Sequence, residues 1–422
     1  MKGTDQHYLV NPLSRQADLL SPELAELYRS GRASERQEFV DKAYLVNPAD
    51  EERAFRSAYL QFVDDRDEDE VQLFFVPWYD CNFSCTYCFQ DEYTNPRQSC
   101  PTELIDSFFA YIDTEFAGRR KYITIFGGEP LMPNQGAKDT FSYICSEANK
   151  RSLSLAVVTN GYSLEEYLPL LVDAPLREVQ VTVDGAGAVH DARRVHKSGR
   201  GSFEQISRGI SLLLENNISV NLRMVVDKEN ISELPILAQY AIDKGWTASS
   251  LFKTQLGRNY ELHHCQEESQ RLFTRLGLYE KIYQLVEEYP HITEFHRPAF
   301  SISKFLFDNG QMPEPLFDSC PGAKTEWAFD YTGAIYSCTA MVGKAGEELG
   351  RFYPEIVRNT QAIEEWEERD VLSIAKCTTC NLRLACGGGC AAVAKVQTGS
   401  LNGPDCRPVD GLLGLGMAHY FA

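Results

Sequence analysis

Apolar positions in the first seventy residues change period twice. Tyr8-Leu9-Val10 and Asp18-Leu19-Leu20 flank a turn containing Asn11-Pro12, the pattern of a short hairpin. Ser21 followed by Pro22 is an N-cap with proline at the first helical position, and it opens a helix that runs to about residue 31. Stretches 35–43 and 49–63 carry helical spacing too. The run Asp64-Asp65-Arg66-Asp67-Glu68-Asp69-Glu70 then reads as a solvated, charged boundary. Beyond it, short apolar runs at 73–77, 122–126, 155–159, 179–183, 220–226 and 249–255 alternate with helix-period stretches such as 104–116, 138–149 and 203–216. This alternation predicts an α/β fold whose parallel strands are buried on both faces by crossover helices. Six such units make a partial (β/α)6 TIM-type barrel, in which chemistry collects at the C-terminal strand ends. Residues 261–311 read as a helical connector, with helix-period apolar residues over 266–289 and no assigned chemistry.

Length and charge narrow the setting. A chain of 422 residues exceeds one ordinary core, so about two or three domains are expected. The division expected is 1–70, 71–260, 261–311 and a cysteine-rich 312–422. The net charge of -19 repels phosphate backbones and disfavours nucleic acid as a partner. No apolar run reaches the length of about eighteen residues that a membrane span needs. The opening MKGTDQHYLV has no long apolar core and no small-residue cleavage site, so no signal peptide and a cytoplasmic location are expected. In a reducing compartment, clustered cysteines are metal ligands or redox groups rather than disulfides. Ten of the thirteen cysteines are clustered: Cys81, Cys85 and Cys88, then Cys320, Cys338, Cys377, Cys380, Cys386, Cys390 and Cys406. Cys100, Cys145 and Cys265 follow no pattern and read as buried, inert thiols.

The first set lies in CNFSCTYCFQ, directly after the run 73–77. Its C-x3-C-x2-C spacing supplies three thiolates and no fourth. A [4Fe–4S] cube wants four ligands, so three leave one iron open for chemistry. A zinc site is the alternative, but it closes with four ligands, and no further His or Cys lies nearer than Cys100.

CNFSCTYCFQ resembles the cluster loop of the radical S-adenosylmethionine (SAM) enzymes, with Tyr87 in the aromatic slot. The similarity continues in order. Gly127-Gly128-Glu129-Pro130 resembles the family's GGEP motif, Thr159-Asn160-Gly161 its TNG turn, and Val183-Asp184-Gly185 with His190 and Arg194 its DG…H…R segment. Each motif falls at the end of an expected strand. The resemblance implies a [4Fe–4S] cluster on Cys81, Cys85 and Cys88 that binds SAM and, once reduced, splits it to a 5′-deoxyadenosyl radical that removes hydrogen from a C–H bond. It further implies roles for the other motif residues. Gly127 and Gly128 let backbone approach the ligand and offer carbonyls to its ammonium. Glu129 either fixes that turn or touches the ammonium. Asn160 and Asp184 suit ribose or ammonium, Arg194 and Arg223 the carboxylate, and Tyr87 and Phe89 the adenine. For Arg194, Arg223 and Asn230, a surface ion pair or a helix cap stands beside ligand contact.

The seven C-terminal cysteines resemble a SPASM domain, which implies two auxiliary [4Fe–4S] clusters. Cys377, Cys380, Cys386 and Cys406 would hold one. Cys320, Cys338 and Cys390 would hold the other, one thiol short, with Asp318, substrate or an open iron in the fourth place. Gly387-Gly388-Gly389 would let amides point at cluster sulfurs. Zinc and purely structural clusters are the rival readings.

Proteins of this kind mostly modify peptides. The resemblance implies a radical SAM maturase acting on a ribosomally made precursor peptide, fed by an external one-electron reductant such as flavodoxin or ferredoxin. The product would be a thioether or carbon–carbon crosslink, or another oxidative change. The unit 1–70 resembles the winged-helix elements that bind leader peptides; a plain packing extension is the alternative. A formylglycine-forming, sulfatase-maturase-like oxidase is the runner-up, disfavoured because that branch carries Asp where this chain has Thr339, after Cys338. A non-catalytic iron–sulfur carrier or scaffold is the reading from another class.

Overall fold

The computed structural model describes residues 6–88, 90, 100–258 and 270–421. Phe89, Cys265 and the start of the expected 266–289 helix lie outside the described residues.

In the N-terminal unit, β1 (His7–Asn11) pairs antiparallel with β2 (Gln16–Leu20). Asn11 builds the turn, its Oδ1 accepting the Leu13 and Ser14 amides. Ser21 caps α1 (Pro22–Arg29), its Oγ accepting the Leu24 N–H at 3.3 Å. The expected 35–43 helix shrinks to α2 (Gln37–Asp41), because Ala43 takes a left-handed φ of 55° and ends it. Conversely, α3 (Pro48–Glu68) runs on through the acidic stretch that reads as a boundary. A distant side chain allows this. Arg119 donates to the carbonyls of Arg66 and Asp69 at 3.1 and 3.0 Å, placing a cation at a helix end whose acidic residues oppose the dipole.

The central sheet begins with β3 (Val71–Val76). A short β4 (Phe83–Cys85) lies in the cysteine loop. Then come α4 (Thr102–Glu115), β5 (Lys121–Ile125), α5 (Gln135–Lys150), β6 (Leu155–Thr159), α6 (Leu164–Asp173) and β7 (Leu176–Thr182). α7 (Gly187–Arg193) and β8 (Arg194–His196) follow, then α8 (Phe203–Glu215), β9 (Val220–Val226), α9 (Leu234–Asp243) and β10 (Phe252–Arg258). The six long strands pair parallel in chain order, β3-β5-β6-β7-β9-β10, as in an incomplete barrel. Alternate residues such as Val220, Leu222, Met224 and Val226 are buried against the helices. Asn221, Arg223 and Val225 therefore face the opposite, inner side.

The sheet does not stop at the expected border. Within the 312–422 region, β11 (Glu326–Asp330) pairs parallel with β3, and β12 (Ala334–Tyr336) returns antiparallel beside it. Trp327 and Phe329 pack on Phe116, Phe108 and Tyr111 at ring separations of 5.2 to 5.8 Å. The core explains the extension. Leu73 and Phe75 on β3 are fully buried, and an apolar edge strand needs a partner. The N-terminal unit also joins this region: Phe55, Tyr59 and Phe62 of α3 surround Phe317, and the Tyr59 hydroxyl donates to Asp370. No helix among the described residues is long and apolar enough to cross a membrane.

Candidate active site

Cys81, Cys85 and Cys88 leave the C-terminal end of β3 on one loop. β4 inside that loop pairs antiparallel with β8, so Cys85 stands opposite Arg194. Backbone bonds from Thr86 N to Arg193 O and from Lys197 N to Asn82 O extend the clamp. Burial first, then the Glu129 carboxylate and the neighbouring Cys85 and Cys88 thiols, push the Cys81 thiol up to about 12. The Phe83 amide, 3.3 Å from Cys81 Sγ, works the other way.

The glycines of the next turn make room for this loop. A Cβ on Gly128 would lie 2.2 Å from the Asp80 carbonyl, and one on Gly127 (φ 135°) would lie 2.7 Å from that of Trp78. The close approach is therefore to the protein's own backbone just before Cys81. Glu129 holds the turn together. Its Oε1 accepts from Leu131 N (2.8 Å) and Thr159 Oγ1 (2.7 Å), and its Oε2 from Asn160 N (2.6 Å). Both oxygens are thus engaged at a buried site, where desolvation raises the carboxyl pKa.

The remaining motif residues form a network behind the cysteines. Asn160 Nδ2 donates to Asn82 Oδ1 at 2.7 Å and reaches Cys81 Sγ at 3.8 Å. Buried Asp184 accepts the Val225 amide and the Tyr87 hydroxyl. Arg194 Nη1 donates to that same hydroxyl at 2.7 Å. Tyr87 is thus anchored by its oxygen between Asp184 and Arg194. His190 Nδ1 accepts the Asp184 amide, and burial pushes its pKa down to about 3, so it stays neutral. Asn230 is buried rather than a surface cap; it donates to the carbonyls of Asp184 and Val225. Arg223, on the inner face of β9, has no hydrogen-bond or ion-pair partner among the described residues and lies beside Gly257. Phe89 is outside the described residues.

Sequence reasoning missed Asn82, although it sits within CNFSC; only the fold brings it to Asn160. It also missed Tyr79, whose hydroxyl donates to Asp330 on β11 at 3.0 Å. Three buried donors around the cysteine loop lack partners among the described residues: Asn82 Nδ2, Gln90 Nε2 and Arg194 Nε. Three adjacent thiols with orphaned N–H groups beside them fit a cluster carrying a polar, anionic ligand.

The C-terminal thiols fall into two neighbourhoods. Burial, then Glu326, Cys320 and Cys390, raise the pKa of Cys338. Burial, then Cys386, Cys380 and Cys406, raise that of Cys377. Asp318 is already committed: it pairs with buried Lys324, accepts the Cys320 amide at 3.0 Å and lies 3.6 Å from buried Arg369. The carbonyls of Gly387, Gly388 and Gly389 are taken by Ser319, Arg369 and Asp405, while the amides of Gly388 and Gly389 have no acceptor among the described residues. Among the described residues, no three His, Cys, Asp or Glu side chains converge on a point that would hold a single metal ion. Cys100 and Cys145 are buried, and burial pushes each thiol up to about 12.

Residues 75–241 match the family model of the Radical SAM superfamily. Mycofactocin maturase MftC of Mycolicibacterium smegmatis is 25% identical over 346 residues, 79% of this chain and 81% of that protein. The chain also matches GTP 3′,8-cyclases, but spans only 54% of the one from Shewanella denitrificans. Native anSMEcpe with bound AdoMet and Cp18Cys peptide superposes with a TM-score of 0.63 at 18% identity, covering 84% of this chain and 97% of that one. Streptococcus suis SuiB bound to precursor peptide SuiA gives 0.52 at 13% identity, covering 95% of each chain. Residues 75–241 are a radical SAM domain, and the chain is an enzyme.

Proposed function

We propose that this chain is a radical SAM peptide maturase, which installs a crosslink (thioether or carbon–carbon) or another oxidative modification in a ribosomally made precursor. The observation that carries the reading is the grouping of ten thiols in threes and four around separate neighbourhoods, within a chain similar to a mycofactocin maturase over most of its length. Cys81, Cys85 and Cys88 would hold the cluster at which SAM is reductively split into a hydrogen-abstracting radical. Asn160 and Asn82 would orient Cys81. Asp184 and Arg194 would hold Tyr87 against the loop. Arg223, the inner-face cation without a partner among the described residues, suits the SAM carboxylate better than Arg194, which is engaged with Tyr87. Cys377, Cys380, Cys386 and Cys406 would hold one auxiliary cluster, and Cys320, Cys338 and Cys390 a second. The free amides of Gly388 and Gly389 would suit cluster sulfurs.

The N-terminal unit supports a peptide substrate. β1 and β2 form a two-stranded sheet whose outer edges can accept an extended leader segment as a further strand. The sulfatase-maturase reading is weakened by Thr339, whose amide and hydroxyl hold Glu326 instead of presenting a carboxylate of their own. A carrier without turnover does not fit a radical SAM enzyme.

The test is anaerobic reconstitution, reduction and addition of SAM, together with co-expression alongside short open reading frames encoded beside the gene. Release of 5′-deoxyadenosine and a peptide lighter by about two mass units per event would support crosslinking or dehydrogenation. Unchanged mass with deuterium uptake would redirect the chemistry to epimerisation. No 5′-deoxyadenosine would overturn the assignment.

A further inference from the structure

The Cys320, Cys338 and Cys390 set lacks a fourth donor, and Asp318 is held by Lys324, the Cys320 amide and Arg369. The strand pair supplies another. Ala328 pairs with Tyr336 across β11 and β12, and where that pair ends the Thr339 amide, next in sequence to Cys338, donates to the Glu326 side chain, which brings this carboxylate beside Cys338. The charge of Glu326 is correspondingly felt at the Cys338 thiol. Its carboxylate is also pre-oriented. Oε1 accepts from the Thr339 amide at 3.1 Å and the Thr339 hydroxyl at 3.5 Å, while Oε2 has no hydrogen-bond partner among the described residues. The Gly322 backbone bridges to Glu326, and the Ala323 amide donates to the Glu326 carbonyl, so the strand that carries the carboxylate is stitched to the loop that carries Cys320.

We propose that Glu326 is the fourth ligand of the auxiliary cluster on Cys320, Cys338 and Cys390, binding through Oε2 while Thr339 holds Oε1. The proposal rests on the auxiliary-cluster reading above. A carboxylate is a harder and weaker donor to iron than a thiolate, so this ligand is exchangeable where a cysteine is not.

The test uses the full chain with Cys81, Cys85 and Cys88 changed to Ala, which leaves only auxiliary iron. It compares Glu326→Gln, Glu326→Cys and Thr339→Ala in that background by iron content and by the EPR spectrum of the reduced protein, with and without 2-mercaptoethanol. If the parent holds far fewer than about eight irons, the auxiliary-cluster reading itself fails. With about eight present, Glu326→Gln is expected to shift one of two auxiliary signals and make it respond to added thiol at lower concentration. Glu326→Cys is expected to abolish that response, and Thr339→Ala to leave the iron content intact. If Glu326→Gln loses the cluster, its return in Glu326→Cys supports the ligand role, and loss in both overturns it. Identical spectra and thiol responses in parent, Gln and Cys proteins would overturn it as well.

Discussion

The two cysteine regions solve one problem by different means. At the barrel end, three thiols share a single short loop, and the order comes from neighbouring strand-end turns: Glu129, Asn160 and Asp184 each bind a different part of the scaffold. In the C-terminal region, seven thiols come from separate segments, and a buried cation ties those segments together. Arg369 is fully buried and donates to the carbonyls of Leu401, Gly388, Gly389 and Gly403 at 2.6 to 3.3 Å. A local loop can be held by hydrogen bonds from turns already made by the sheet. Distant segments need a hub that satisfies several carbonyls at once.

The comparison breaks most sharply at the cysteines themselves. Replacing Cys81, Cys85 and Cys88 by Ala is expected to abolish 5′-deoxyadenosine formation and to lower iron from about twelve to about eight per chain. Retained activity would remove the barrel site from the chemistry.

Next in size is Arg369→Met. It removes the cation that binds four buried carbonyls and flanks the Asp318 carboxylate, which keeps Lys324, and hydrogen bonds from a charged donor are each worth about 1.5–3 kcal/mol. Auxiliary iron is expected to fall while barrel iron and SAM cleavage persist. If both drop together in iron assays and thermal melts, the two regions are one cooperative unit rather than two differently built sites.

The barrel side was far more legible in the sequence than the hub. Its motifs are contiguous, and β3 and β6 were marked by apolar runs because burial on both faces leaves little polar alternation, whereas β7, β9 and β10 alternate. The seven C-terminal cysteines were equally visible. What could not be read was which charges sit inside. Lys324 and Arg369 look like ordinary surface charges until folding brings them to Asp318. The glycines of the GGEP turn were legible as necessary, but their close approach to the Trp78 and Asp80 backbone was not, since such a contact leaves no mark in composition. β11 was missed because acidic Glu326 and Asp330 leave it an apolar run of only Trp327, Ala328 and Phe329.

Glu129→Gln sharpens the barrel half. An amide nitrogen in place of one oxygen must face a donor, so one of three hydrogen bonds becomes a clash costing about 1–3 kcal/mol. The Michaelis constant for SAM is expected to rise as the Asn160 turn loosens. A pH signature separates this carboxylate from its neighbours. Burial raises the folded pKa above the ordinary 4.5, so the folded state holds the proton longer than the unfolded chain does. Its contribution to stability is therefore fully present below 4.5 and lost as pH rises through the folded value. The difference between wild-type and Gln unfolding free energies should show that fall, and a flat difference would mean that Glu129 is not desolvated as described.

The smallest effect tests the seam between the regions. Tyr79 precedes Cys81 in the barrel loop, yet its hydroxyl donates to Asp330 at the end of β11, which the Tyr336 hydroxyl and the Thr332 amide also bind. Tyr79→Phe removes one buried hydrogen bond and no volume beyond an oxygen, so urea unfolding should register about 1 kcal/mol. Because Asp330 keeps other donors, it is not stranded, and the loss should stay near that value rather than approach the cost at Arg369. Were the two cysteine regions energetically separate, the EPR signals of the auxiliary clusters would be unchanged in this variant and only the barrel signal would move. Movement of both would show that β11 transmits the position of the Cys81 loop to Cys338 along a strand pair they share.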